Sequence, residues 1–161
     1  MKTLYMVRHA KSSWEFDVSD RERPLNKRGL RDAEAMSLHL SNAIERPDLM
    51  LSSPANRAHT TALFFKTTFD MPDAQFREEE ALYDFGGSGV MDVIKSCPET
   101  VNSLMIFGHN HAFTSIANML GNRYIDNVPT CGFVHIQAAV KTWKDFANGT
   151  TKFMLFPKEL R

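Results

Sequence analysis

Leu4-Tyr5-Met6-Val7-Arg8-His9-Ala10-Lys11-Ser12 is the stretch from which the fold can be read. Four apolar residues run without a break into Arg-His. Continuous aliphatic and aromatic runs of this kind mark strands covered on both faces, and in open α/β sheets ligands collect just beyond the carboxyl ends of such strands. Arg8 and His9 are therefore expected at the mouth of a crevice. An arginine offers a planar fork of donors suited to phosphate, and a neutral imidazole beside it can act as nucleophile or base.

The pattern recurs twice. Asp48-Leu49-Met50-Leu51-Ser52-Ser53-Pro54 is a second short apolar run into a turn, with Ser53 placed to cap a helix, Pro54 at its first position and Arg57 in its first turn. Ser103-Leu104-Met105-Ile106-Phe107-Gly108-His109-Asn110-His111 is the third, followed by a helical segment from about Ala112 to Leu120. Strand-helix alternation implies parallel neighbours, which brings Arg8, His9, Arg57 and His109 to one edge of the sheet. Two arginines and two histidines around one point make a pocket for a dianion.

The ordered set Arg8-His9-Ala10-Lys11-Ser12, Arg23-Pro24-Leu25 with Gly29 and Ala33, Ser53-Pro54 with Arg57 and Thr60, Leu82-Tyr83, Gly108-His109-Asn110 and Pro129-Thr130 resembles the SixA-like histidine phosphatases. These are small members of the superfamily that also contains phosphoglycerate mutases. The resemblance runs from Thr3 to Pro157 and implies a phosphohistidine phosphatase in which His9 is the nucleophile and Arg8, Arg57 and His109 bind phosphate.

The chain has 161 residues with 19 basic and 19 acidic side chains, so no global field invites nucleic acid or an anionic membrane. An anion site must be local. One histidine phosphatase domain over residues 1–161 is expected, cytoplasmic and monomeric, with Cys97 and Cys131 as reduced thiols. The expected architecture is an α/β three-layer sandwich: a mostly parallel central sheet, helices on both faces, and an antiparallel edge hairpin from about Phe133–Ala139 and Thr151–Phe156.

Other segments carry narrower expectations. Ser13 to Arg23 reads as a surface loop beside the crevice, pinned to the body by Trp14 and Phe16. Asn26 is expected to cap a helix reaching about Ile44, with Leu30, Ala33, Met36 and Leu40 on its apolar face and Arg28, Arg31, Asp32 and Glu34 on its solvated face. In the helix from Pro54, Ala55, Ala58, Ala62, Phe65 and Phe69 form a core stripe. Leu82 to Gly89 reads as a flexible loop near the ligand.

The residues permit in-line attack by neutral His9, a phosphohistidine intermediate and its hydrolysis, with Arg8, Arg57 and His109 neutralising the equatorial oxygens. Ser12 and the backbone amide near Asn110 are further candidates for substrate contact. No metal or other cofactor is called for. The expected substrate is a phosphohistidine protein or a small activated phosphoryl compound. The rivals are a small-molecule phosphomonoesterase, a mutase-like enzyme and a phosphate-binding module without catalysis. Larger relatives protonate the leaving group with a carboxylate after the second arginine, a position for which this chain offers Glu80 or Asp84, with Asp84 the candidate and turn-capping its competing role.

Overall fold

The computed structural model describes all residues, Met1–Arg161. Six strands form one sheet: β1 (Lys2–Arg8), β2 (Leu49–Ser52), β3 (Phe76–Glu78), β4 (Ser103–Gly108), β5 (Phe133–Ala138) and β6 (Thr150–Leu155), in the spatial order β3-β2-β4-β1-β5-β6. β3, β2, β4 and β1 run parallel, whereas β5 is antiparallel to both β1 and β6. The hairpin thus lies at the edge, as expected.

Alternation along the strands explains the layers. Leu4 and Met6, with Leu51, Leu104 and Ile106, face a core completed by α3 (Ser88–Lys95) and α4 (Ala112–Leu120). Tyr5 and Val7, with Met50, Met105 and Phe107, face α1 (Lys27–Ser41) and α2 (Asn56–Thr68). Each central strand buries both faces, which is why its apolar residues are continuous rather than alternating. No helix is long and apolar enough to cross a membrane.

Local expectations fared unevenly. Asn26 caps α1, its side chain accepting from the Gly29 N–H at 2.8 Å, and Ala55, Ala58, Ala62, Phe65 and Phe69 are all buried. The α2 helix, however, starts at Asn56 with Ala55 as its cap, so Ser53 is not the N-cap and Pro54 not the first helical residue. Leu30 is exposed, while Asp32 is buried and paired with Arg161 at 2.8 Å rather than solvated. Trp14 and Phe16 do not pin their loop by burial: they are 76% and 57% exposed. The three-residue strand β3 was not anticipated.

Candidate active site

Register brings the site together. β2, β4 and β1 are parallel neighbours, with Arg8 opposite Gly108 and Ser52 opposite Phe107. One residue further on, Ser53, His109 and His9 therefore emerge side by side. The His9 N–H donates to the Gly108 carbonyl at 3.0 Å, the Ser53 N–H to that of Phe107 at 2.9 Å, and the two imidazole centroids lie 5.3 Å apart. Gly108 permits this approach, because a Cβ there would meet the Phe113 ring at 2.8 Å. Gly29 does the same for the loop after His9: a Cβ would collide with the Lys11 carbonyl, on which the start of α1 rests.

His9 is tethered from several directions. Its carbonyl accepts from the Cys131 N–H at 2.9 Å, and the next amide, Ala10, donates to Thr61 Oγ1 on α2 at 3.0 Å. The ring Nδ1 lies 2.8 Å from the Ala10 carbonyl oxygen. A carbonyl only accepts, so Nδ1 carries the hydrogen and Nε2 keeps its lone pair. No hydrogen bond within the chain engages that lone pair.

The two arginines are held by their outer nitrogens. Arg8 donates from Nη1 to the Val128 carbonyl at 2.9 Å. Arg57, only 2% exposed in the first turn of α2, donates from Nη1 to the Asp20 carbonyl at 2.7 Å and from Nη2 to Asp20 Oδ2 at 3.0 Å. The same Oδ2 accepts from the Tyr83 hydroxyl at 2.6 Å, and Arg23 Nε lies 3.3 Å from Oδ1. Arg8 Nε, Arg57 Nε and His109 Nδ1 are buried without a hydrogen-bond partner, as are His59 Nδ1 and His135 Nε2 away from this edge. Native interiors rarely leave such groups unpaired, each costing about 1–3 kcal/mol, so three at one sheet edge call for an explanation.

Burial drives the electrostatics. Desolvation, reinforced by Arg8, Arg57 and the facing histidine, pulls the His9 pKa down to about 3, against the Ala10 hydrogen bond. His109 is likewise brought to about 3 by desolvation and then by Arg57. Both rings are neutral at neutral pH. Partial burial works to raise the Asp20 carboxyl, but the hydrogen bonds from Tyr83 and Arg57 outweigh it and bring it to about 2. No three His, Cys, Asp or Glu side chains come together in a group able to hold a metal ion.

The remaining candidates fall differently. Ser12 is buried, its Oγ accepting from Arg23 Nη1 at 2.7 Å. The Asn110 side chain is consumed by Thr114, Asn127 and Val128, which leaves its backbone as the part available to a ligand. Asp84 is a cap: Oδ1 accepts from the Gly86 N–H, and Oδ2 from those of Gly87 and Val90, at 3.0–3.1 Å. Both oxygens are turned to the start of α3, the turn-capping role that competes with proton donation. Asp20 was missed. Its only signal is its place three residues before Arg23-Pro24, and it is one of four acids in that loop, with Glu15, Asp17 and Glu22.

Tyr83 and Phe85 flank the site, their rings 5.4 and 5.0 Å from that of His109.

Comparisons with known proteins agree with this fold. An uncharacterised protein of Mycobacterium tuberculosis is 28% identical over 160 residues, covering 93% of this chain and 98% of the relative. The crystal structure of an Agrobacterium tumefaciens protein assigned as the phosphohistidine phosphatase SixA superposes with a TM-score of 0.82 at 25% identity, covering 97% of this chain and 98% of that one. A tungstate complex of the protein histidine phosphatase SixA shares the fold, with a TM-score of 0.80 at 18% identity over 99% of both chains. The sequence profile of the histidine phosphatase superfamily (branch 1) matches residues 4–88, more than half of the chain and the part that contains Arg8, His9 and Arg57. The chain belongs to that superfamily and is a phosphatase.

Proposed function

We propose that the protein hydrolyses phosphohistidine in proteins, or a small activated phosphoryl compound, through a covalent intermediate on Nε2 of His9. The observation that carries this reading is the set of buried nitrogens without a hydrogen-bond partner, Arg8 Nε, Arg57 Nε and His109 Nδ1, on the residues gathered around His9, whose Nε2 lone pair is unengaged. A tetrahedral dianion bound among them would give these nitrogens partners and put phosphorus within reach of the nucleophile. The likeness to a protein histidine phosphatase bound to tungstate, a phosphate-like oxyanion, supports the same assignment.

In this mechanism the Nε2 lone pair attacks phosphorus as the bond to the leaving group breaks on the opposite side. The leaving imidazole takes its proton from solvent. Water then attacks the phosphorus of phospho-His9, the P–N bond breaks, and phosphate departs with Nε2 restored. The chemistry lies in positioning and in neutralising charge on the equatorial oxygens. Residues as far apart as Arg8 and Val128 build the pocket, which supports one catalytic domain spanning the chain.

The test is rapid-quench labelling with a phosphohistidine protein. Wild type forms an acid-labile, base-stable phosphoenzyme, and His9→Ala forms none and loses turnover by several orders of magnitude. A labelled His9→Ala enzyme defeats the assignment.

A further inference from the structure

Ser53 Oγ lies 2.8 Å from Nε2 of His109, and the Ala55 N–H donates to the same oxygen at 3.2 Å. Ser53 and His109 are both fully buried, so these groups have no water to turn to. Two arrangements of hydrogens are conceivable. If His109 carried its hydrogen on Nε2, the Ser53 oxygen would accept twice and its own O–H would have no acceptor among its contacts. His109 Nδ1 would then present a lone pair to an arriving phosphate oxygen, which is repulsive.

The opposite arrangement leaves nothing unmatched. The Ala55 N–H donates to Ser53 Oγ, the Ser53 O–H donates to His109 Nε2, and the hydrogen of the imidazole is placed on Nδ1, the buried nitrogen that has no partner within the protein. The second ring nitrogen of a functional histidine is set by the hydrogen bond made by the first.

We infer that Ser53 is a positioning residue that fixes His109 as the neutral Nδ1–H tautomer, making it a hydrogen-bond donor to the phosphoryl group without a proton uptake step. The inference rests on the catalytic reading above, for which His109 is a phosphate ligand. A neutral donor suits this place: Arg8 and Arg57 already supply two positive charges, and desolvation keeps the His109 ring uncharged. The relay also explains the serine before Pro54 without a helix cap. Its hydroxyl is committed across the sheet edge, from the end of β2 to the end of β4.

The tautomer is read directly by nitrogen-15 NMR of the resting protein, with His109 identified through His109→Gln. Wild type between pH 6 and 8 is expected to show a pyrrole-type Nδ1 and a pyridine-type Nε2. A pyrrole-type Nε2, a mixture or an imidazolium overturns the proposal. Ser53→Ala is expected to give an averaged pair of shifts and a ~10- to 100-fold lower kcat, the scale seen when the outer partner of a ligating histidine is removed. Ser53→Thr, which keeps the hydroxyl, restores the wild-type pair, and unchanged shifts in Ser53→Ala overturn the assignment. Because the wild-type spectrum needs neither a variant nor turnover, its outcome is separate from that of the phosphoenzyme experiment.

Discussion

The Asp20 carboxylate grips Arg57, with Oδ2 accepting from Nη2 at 3.0 Å while the Asp20 carbonyl accepts from Nη1 at 2.7 Å. A loop residue with a side chain 46% exposed thereby sets the attitude of a guanidinium that is 2% exposed. Its Nε is buried without a partner, and orientation rather than charge alone is what Asp20 contributes to the guanidinium. The carboxylate is at the same time a negative charge near an anion site.

These two effects have opposite signs in binding and in turnover. Asp20→Asn removes the charge and weakens the grip on Arg57. Affinity for tungstate is expected to rise several-fold, because the competing anion is gone, while kcat falls at least tenfold as Arg57 loses its fixed attitude. Inhibition constants for tungstate measured beside kcat decide the matter. A weaker tungstate complex contradicts the reading.

The unpaired donors predict a trade between activity and stability. Replacing Arg8 by Met removes a half-buried cation whose Nε has no partner and gives up one bond, from Nη1 to the Val128 carbonyl, so the thermal midpoint is expected to stay close to that of wild type while kcat/KM drops by two or more orders of magnitude. Tungstate at 100 times its Kd stabilises wild type by about 2.7 kcal/mol through mass action, and Arg8→Met largely loses that response. A variant less stable than wild type without ligand shows instead that Arg8 supports the fold.

How much of this was legible from the chain depends on how local the cause is. The three apolar runs ending in Arg-His, Ser-Ser-Pro and Gly-His encode strand ends in adjacent residues, and parallel packing then aligns them. Ser53 misled for the same reason: Ser-Pro is a local helix-start signal, but the hydroxyl is claimed by His109, 56 residues away. Asp20 meets Arg57 and Tyr83 across 37 and 63 residues, which no spacing rule encodes. β3 is three residues long, two of them exposed and charged, and it exists because β2 offers an edge to pair with. Trp14 stays in solvent because Arg23 lies 3.5 Å over its ring, a cation–π contact that fixes it without burial.

Buried neutral histidines also set the acid limit of the fold. His9 and His109, at about 3, and His135, lowered to about 4 by desolvation and then by Lys152, all lie below the ordinary value of 6.5. In the unfolded chain these rings take up protons near pH 6.5, whereas in the native state they do so only near 3–4. The unfolded state therefore binds more protons throughout that window, so stability is full above 6.5 and declines as pH falls toward 3. Asp20 adds a loss in the same direction lower down, below its unfolded value of 3.8 and toward about 2. Denaturant midpoints from pH 8 to 4 are expected to fall below pH 6.5, and less steeply in His109→Gln. A flat profile over that range removes the burial argument for neutral imidazoles.

The last prediction concerns the leaving group. The carboxylates of Asp84, Asp20 and Glu80 are each engaged by hydrogen bonds, Glu80 by Arg21. Asp84 spends both oxygens on the amides of Gly86, Gly87 and Val90, and Asp20 is ionised and tied to Arg57, Arg23 and Tyr83. An alkoxide leaves poorly without a proton, and the absence of a general acid typically costs ~100- to 10,000-fold. The imidazole of phosphohistidine escapes this penalty because its ring nitrogen is protonated from solvent. We therefore expect kcat/KM for a phosphohistidine protein to exceed that for an alkyl phosphate by at least about 100-fold. Asp84→Asn is expected to change that ratio little while lowering stability by about 1 kcal/mol, the cost of a weakened cap. Equal use of the two substrates by wild type would show that a proton donor acts in the site after all. A collapse of alkyl phosphate turnover alone in Asp84→Asn would identify Asp84 as that donor.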